Sequence, residues 1–331
     1  MQPLNANLTR AIAIALVVML HMSANSFASY GENWWISLTY DSLTRACVPL
    51  FFMLSGALLL QKNEPAAIFY RKRVAKILIP LIFWSYVYLL YRKYYVGESE
   101  LSLSPLMLLS GPVYYHLWFV YSIITVYLFV PMLRFYAINA TNSVKLLVLA
   151  LWFMSQSIQP FAAILGWNLY TGIDLGFVSR FFGFVLLGEY LASNHRILNK
   201  ATLLTTFTVS TLLTLILTYH SSAQSGAANE VWFQYHSPFV ITAAIALFLL
   251  CMNAKTQLPA LFEPVSTYSF GIYFVHIIVM QQISVRFIFK PEYFNSLLSI
   301  ILIPLAFCVS MVISTLICVI FSKIPVLRKT L

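Results

Sequence analysis

Apolar residues run along this chain in long blocks, and polar residues collect in the short stretches between them. Ten blocks are long enough, or nearly so, to cross a bilayer as helices: 9–29, 43–61, 77–95, 113–133, 144–160, 175–192, 201–219, 236–252, 267–285 and 297–321. The pattern therefore predicts an all-α integral membrane protein of about ten transmembrane helices. No linker, low-complexity tract or repeat interrupts it, so residues 1–331 read as a single polytopic domain with no separate soluble domain. Within the first block, Arg10, the apolar run that follows it and Ser26-Phe27-Ala28 imitate a secretory signal. Its single basic residue and its internal His21 favour a retained span.

Composition supports this reading. Of 331 residues, 60% are hydrophobic and only 9% charged, and the mean hydropathy of +0.82 lies outside the range of soluble domains of this size. The net charge of +10 would suit a nucleic-acid binder, but its distribution argues otherwise. With the N-terminus inside, 14 of the 20 lysines and arginines face the cytoplasm, including Arg10, Lys62, the run Arg71 to Lys76, Arg134 and Lys145. Positive charge is retained on that side of a membrane, so the split predicts both termini in the cytoplasm and removes the need for a nucleic-acid partner. Residues 34–41 then fall in an outer loop. Cys47, Cys251, Cys308 and Cys318 lie in apolar blocks without metal-ligand or redox spacing and read as buried thiols.

Against this background a few polar residues stand out. Arg10 and His21 are eleven positions apart, so on a helix they share one stripe and differ in height by about 16 Å. His21 falls near the bilayer midplane, where an ionisable side chain is read as functional by default. Asn25 follows one turn later on the same face. The second block opens Arg45-Ala-Cys-Val-Pro-Leu-Phe-Phe-Met-Leu-Ser55-Gly56. Two readings of Arg45 stay open: a buried cation with an anion or carbonyl partner, or a side chain snorkelling to the outer interface. Ser55-Gly56 removes bulk, for helix packing or for a ligand.

Arg73 and Lys76, three apart in the densest basic run, suit either phosphates or anionic lipid. The fourth block starts Tyr114-Tyr-His116-Leu-Trp118, with aromatics that read as interfacial anchors. The ninth contains Ser269-Phe-Gly-Ile-Tyr-Phe-Val-His276, a further imidazole inside a span. No glycine-rich phosphate loop, metal-ligand cluster or His-x4-Asp motif of soluble acyltransferases occurs.

Those five motifs, in order on the first and second blocks, before the third, and on the fourth and ninth, resemble the acyltransferase 3 family. These are membrane O-acyltransferases of bacterial surface polysaccharides, including those acting on enterobacterial common antigen and O-antigen. The resemblance implies transfer of an acyl group, most often acetyl, from cytosolic acetyl-CoA to a sugar hydroxyl of a lipid-linked or surface glycan at the bacterial cytoplasmic membrane. It implies no permanently bound cofactor or metal, and its partners are acetyl-CoA, the glycan and membrane lipid.

Under it His21 and Arg10 are catalytic, and Arg10, Arg73 and Lys76 bind the donor. Arg45, His116, His276, Ser55 and Asn25 are acceptor-side or supporting. An imidazole titrating near neutrality can take a hydroxyl proton or carry the acyl group transiently. The family's Arg-x-x-Arg stands here as Arg73-Val-Ala-Lys76, which keeps the charge and loses the planar fork of donors. A polysaccharide or lipid-linked glycan exporter is the alternative. Proton-coupled exporters place carboxylates deep in spans, whereas Asp174 and Glu189 lie near block ends.

Overall fold

A chain in hydrocarbon must satisfy its own backbone donors and acceptors, and a helix does so within one segment. In the computed structural model, which describes residues 5–167, 181–194, 198–282, 293 and 296–331, every regular element among the described residues is helical. Helix α1 (Ala6–Ala28) begins at Asn5, whose side chain accepts from the Leu8 amide at 3.2 Å. The other longer helices are α2 (Trp34–Thr44), α3 (Cys47–Leu59), α4 (Ala66–Leu90), α5 (Trp118–Asn139), α6 (Asn142–Leu165), α7 (Phe182–Asn194), α8 (Lys200–Ser225), α9 (Pro238–Asn253), α10 (Ser269–Val279) and α11 (Ser299–Ser322). Helix α1 is central, packed against α2, α3, α9, α10 and α11.

Eight helical segments among the described residues are long and apolar enough to cross a membrane. Two of the ten predicted blocks, 175–192 and 267–285, fall partly outside the described residues, where α7 and α10 are what is described of them. Helices α6 and α11 expose apolar side chains such as Leu147, Leu151, Met154, Ile301, Val312 and Leu316. With less than a third of their spans buried in the protein, their outer faces are solvated by lipid. The chain is a multi-pass membrane protein.

Three expectations change. Residues 34–41 are helical, and Asp41 is fully buried instead of lying in an outer loop. The hydroxyls that lower the hydropathy of this stretch bond back to its own carbonyls: Thr39 to Trp35 at 2.9 Å and Ser42 to Leu38 at 2.7 Å. The basic run is helical too, so α4 starts eleven residues before the apolar block does, at Ala66 after Pro65. Cys308 is exposed on α11, while Cys47, Cys251 and Cys318 are buried; on a lipid-facing helix a thiol needs no protein cover.

Close backbone approach locks α3 to α7. A Cβ on Gly56 would sit 1.8 Å from the Val185 carbonyl oxygen, and one on Gly188 would sit 1.9 Å from that of Met53. Both positions must lack a side chain, which is the packing use of small residues between membrane helices. The same region holds two buried cations. Lys145 is 3.2 Å from Glu189, which also accepts from Gln61 and Ser193. Arg134 donates to the carbonyls of Leu59 at 3.2 Å and Glu64 at 2.6 Å, closing the end of α3. Two of the charges counted toward topology are therefore structural. Glu189→Gln, which leaves Lys145 buried without its anion, should destabilise the protein by about 3–5 kcal/mol. The Lys145→Met/Glu189→Met pair should recover most of that loss in thermal unfolding of detergent-solubilised protein.

Candidate active site

Three imidazoles from distant parts of the sequence converge inside the bundle. His21 comes from the middle of α1, His276 from α10, and His116 from a single 3-10 turn (Tyr115–Leu117) that leads into α5. The ring centres are 5.3 Å apart for His21 and His276, 5.6 Å for His116 and His276, and 6.4 Å for His21 and His116. His116 and His276 are 1% and 0% exposed, so the cluster is dry apart from the cavities that reach His21.

The surroundings fix these rings. Nδ1 of His276 lies 3.1 Å from the Ile272 carbonyl one turn back. A carbonyl only accepts, so Nδ1 carries the hydrogen and Nε2 presents its lone pair. The Tyr273 hydroxyl donates to the His116 carbonyl, which pins the 3-10 turn. Rings of Tyr88 at 4.9 Å and Tyr273 at 5.4 Å pack on His116, and Tyr115 packs edge-on to His21 at 5.5 Å. Neither ring nitrogen of His116, nor Nε2 of His276, has a hydrogen-bond partner among the described residues. Buried polar atoms normally find one, and their grouping here marks a site. Among the described residues no group of three or more His, Cys, Asp or Glu is arranged to hold a metal ion.

Two chambers approach the cluster from opposite ends of α1. The first, about 420 Å³, is lined by Arg10, Lys62, Arg73 and Lys76 together with Ser55 and Tyr127. None of these four cations makes a salt bridge among the described residues. The nearby carboxylate of Glu64 is occupied by Lys72 at 2.5 Å, which holds it below the usual carboxylate range. Arg73 lies over Phe69 and Tyr127, its guanidinium carbon 5.6 and 5.9 Å from the ring centres. The second chamber, about 570 Å³, is lined by His21, Asn25, Arg45, Tyr115, Trp118 and Tyr235, with Glu230 at its rim. Between them lies a constriction of about 30 Å³ that His21 and His116 both line.

Arg45 resolves into the first of its two readings. It is 8% exposed, pairs with Asp41 at 2.5 Å, and lays its guanidinium 3.9 Å over Phe233; it does not snorkel. The partner was legible in the i, i+4 spacing of Asp41 and Arg45. The hydroxyls and carboxylate of 34–41 lower its hydropathy to that of a loop and mask the pairing. Ser55 faces the first chamber while its hydroxyl bonds back to Phe51 at 2.9 Å, and Gly56 serves packing. Tyr115 and Trp118 line the second chamber, where the sequence suggested interfacial anchors. Tyr88, Phe119 and Tyr235 carried no sequence signal, since an aromatic facing a site and one facing lipid look alike in a span. Of the residues left without a role, Asp174, Arg180 and His195 lie outside the described residues.

A family model described as an acyltransferase domain matches residues 4–323. Comparison with curated proteins finds no match. Comparison with solved structures finds none either.

If the chambers open to opposite sides of the membrane, each should be reachable from one side only. Ser55→Cys should react with a membrane-impermeant maleimide only from the side bearing the N-terminus, and Asn25→Cys only from the other. Labelling sealed vesicles in both orientations provides the check, with Cys47, Cys251, Cys308 and Cys318 replaced in the background. Labelling of both positions from one side would contradict the arrangement.

Proposed function

The chain belongs to the acyltransferase 3 family, and we propose that it is a membrane O-acyltransferase of the bacterial cytoplasmic membrane. In this reading it moves an acetyl group from cytosolic acetyl-CoA to a hydroxyl of a cell-surface or lipid-linked polysaccharide. The observation that carries the reading is the convergence of His21, His116 and His276 beside a constriction between an aromatic-lined chamber and one whose four cations form no salt bridge among the described residues.

Coenzyme A is a polyanion on a long thin arm. Arg10, Lys62, Arg73 and Lys76 supply matching charge, and the retention of positive charge on the inner side assigns their chamber to the cytoplasm. Helix α1 is continuous from Arg10 to His21, a climb of about 16 Å that an extended pantetheine arm covers. The thioester then meets His21 from one side and the acceptor hydroxyl from the other.

The hydroxyl oxygen attacks the acyl carbon, forming the C–O bond as the C–S bond breaks. Its proton passes to the imidazole and on to the departing thiolate, so coenzyme A leaves as the free thiol. A two-step route in which His21 carries the acyl group has the same net balance. His276, with its free Nε2, and His116 support the reacting imidazole. Arg45, already held by Asp41 and Phe233, shapes the acceptor chamber, and Ser55 and Asn25 line the two approaches.

Two outcomes test this assignment. His21→Ala should insert and fold, yet lower turnover by roughly 10²-fold or more, as expected for loss of a proton-transfer group. Near-normal turnover of a stable His21→Ala protein would return the imidazole to a packing role. Arg73→Ala and Lys76→Ala should instead raise the donor KM more than they lower kcat, with an affinity loss that is largest at low salt and shrinks as salt screens the contact. Steady-state kinetics in lipid with labelled acetyl-CoA and an extract of lipid-linked glycans separates the two classes. Unchanged donor affinity in both variants would refute the donor chamber.

A further inference from the structure

The constriction is much smaller than either chamber: about 30 Å³ against about 420 and 570 Å³. Phe51, Phe119 and Tyr273 line both it and the cationic chamber, so they form its entrance from the donor side. Leu20, His21, Trp118 and Tyr235 line both it and the second chamber, and form its exit. A cavity needs roughly 10–15 Å³ on this measure to hold one water, so the space beside His21 takes about two water-sized groups. Acetyl, a methyl and a carbonyl, is that size. Each further methylene has to displace wall or project into the second chamber, where the acceptor hydroxyl has to enter.

The wall is packed against displacement. The Phe119 ring lies 5.7 Å from that of Phe51, 5.3 Å from Phe52 and 5.5 Å from Tyr273. Phe52 is fully buried and stacked on Phe181 at 4.6 Å. Tyr273 is tied by its hydroxyl to the His116 carbonyl and stacks on Phe270. Val17, Cys47 and Val48, all buried, complete the lining, which contains no lysine, arginine or carboxylate. An acyl group ending in a carboxylate would be desolvated there, and Arg45 in the adjoining chamber is already paired with Asp41 at 2.5 Å.

We infer that the aromatic entrance formed by Phe51, Phe119 and Tyr273 determines acyl length: it admits acetyl to His21 and rejects butyryl, longer chains and succinyl. The inference rests on the reading that His21 acts on the thioester carbonyl, because only then must the acyl group occupy the constriction. The cationic chamber contributes nothing to the choice, since every acyl-CoA presents it with the same nucleotide and phosphates. Discrimination therefore falls on turnover, and donor affinity stays nearly constant along the series.

The test is an acyl-CoA series of acetyl, propionyl, butyryl, hexanoyl and succinyl, given to the protein in lipid with an extract of lipid-linked glycans. Release of coenzyme A and mass of the acylated product are followed. One methylene too many in an apolar pocket lowers turnover by roughly 10–200-fold, so butyryl should fall at least about 10²-fold below acetyl, with succinyl at background. Phe119→Ala should raise the butyryl-to-acetyl ratio by about 10-fold or more. The milder Phe51→Leu, at a half-buried position on the open chamber, should raise it less and covers the case in which Phe119→Ala does not fold. A ratio measured on one protein sample is independent of how much of that sample is active. Acetyl and butyryl turnover within about threefold of each other in the unaltered protein, or an unmoved ratio in active variants, would overturn this inference and leave acyl transfer standing. Failure of every acyl-CoA to donate would overturn the proposed function along with it.

Discussion

A charge or hydrogen-bonding group placed in hydrocarbon must find its partner inside the protein, and this bundle is organised by that requirement. Its buried ions fall into closed pairs: Asp41 with Arg45, and Glu189 with Lys145. Arg134, also buried, spends its donors on the carbonyls that end α3. These contacts neutralise the interior and fix helix positions. Once they are set aside, the cations without a carboxylate partner and the buried imidazoles still stand together around one internal path. Four cations stand at one end, His21 and His116 line its narrowest point, and His276 packs behind them with a free Nε2. Unpaired imidazole nitrogens in a membrane interior are costly, and their grouping beside these chambers is what singles out the candidate site.

The scaffold in turn sets how narrow the path is. Gly56 and Gly188 let α3 and α7 approach backbone to backbone, which draws the Phe51 and Phe52 rings of α3 against Phe119 of α5 and Phe181 before α7. The same aromatic packing that closes the helix interface therefore closes the constriction. A dry, narrow meeting point has two chemical consequences. It strengthens the electrostatic interactions made there, and in the proposed transfer it would keep water from intercepting the thioester ahead of the acceptor hydroxyl. Removal of either glycine would be felt at His21 without touching it.

How much of this the sequence revealed depends on which signal each feature leaves. The membrane class was legible because block length and hydropathy follow directly from bilayer thickness. Arg10 and His21 were legible because helical spacing puts them on one stripe, and the histidines because an imidazole in an apolar block has no bland explanation. The boundaries of α2 were not. Hydroxyls that bond to their own helix and a carboxylate with a buried partner lower hydropathy without marking a loop, and that misreading hid the Asp41 and Arg45 pair. Equally invisible were the aromatic walls. Phe119, Tyr88 and Tyr235 sit among 53 aromatic residues, and only tertiary packing separates those facing the path from those facing lipid. Periodicity could not show that His21, His116 and His276, spread over 256 positions, meet within 6.4 Å.

The central claim is that the acyl group crosses from a cationic chamber on the cytoplasmic side to an acceptor on the other side, with His21 at the crossing. Sealed vesicles with the protein in one orientation, labelled acetyl-CoA on one side and an extract of lipid-linked glycans in the membrane, test it most directly. The account predicts labelled glycan only when the donor is on the side bearing the N-terminus, with the label accessible from the opposite side. Labelling from either side alike, or label that stays on the donor's side, would contradict it.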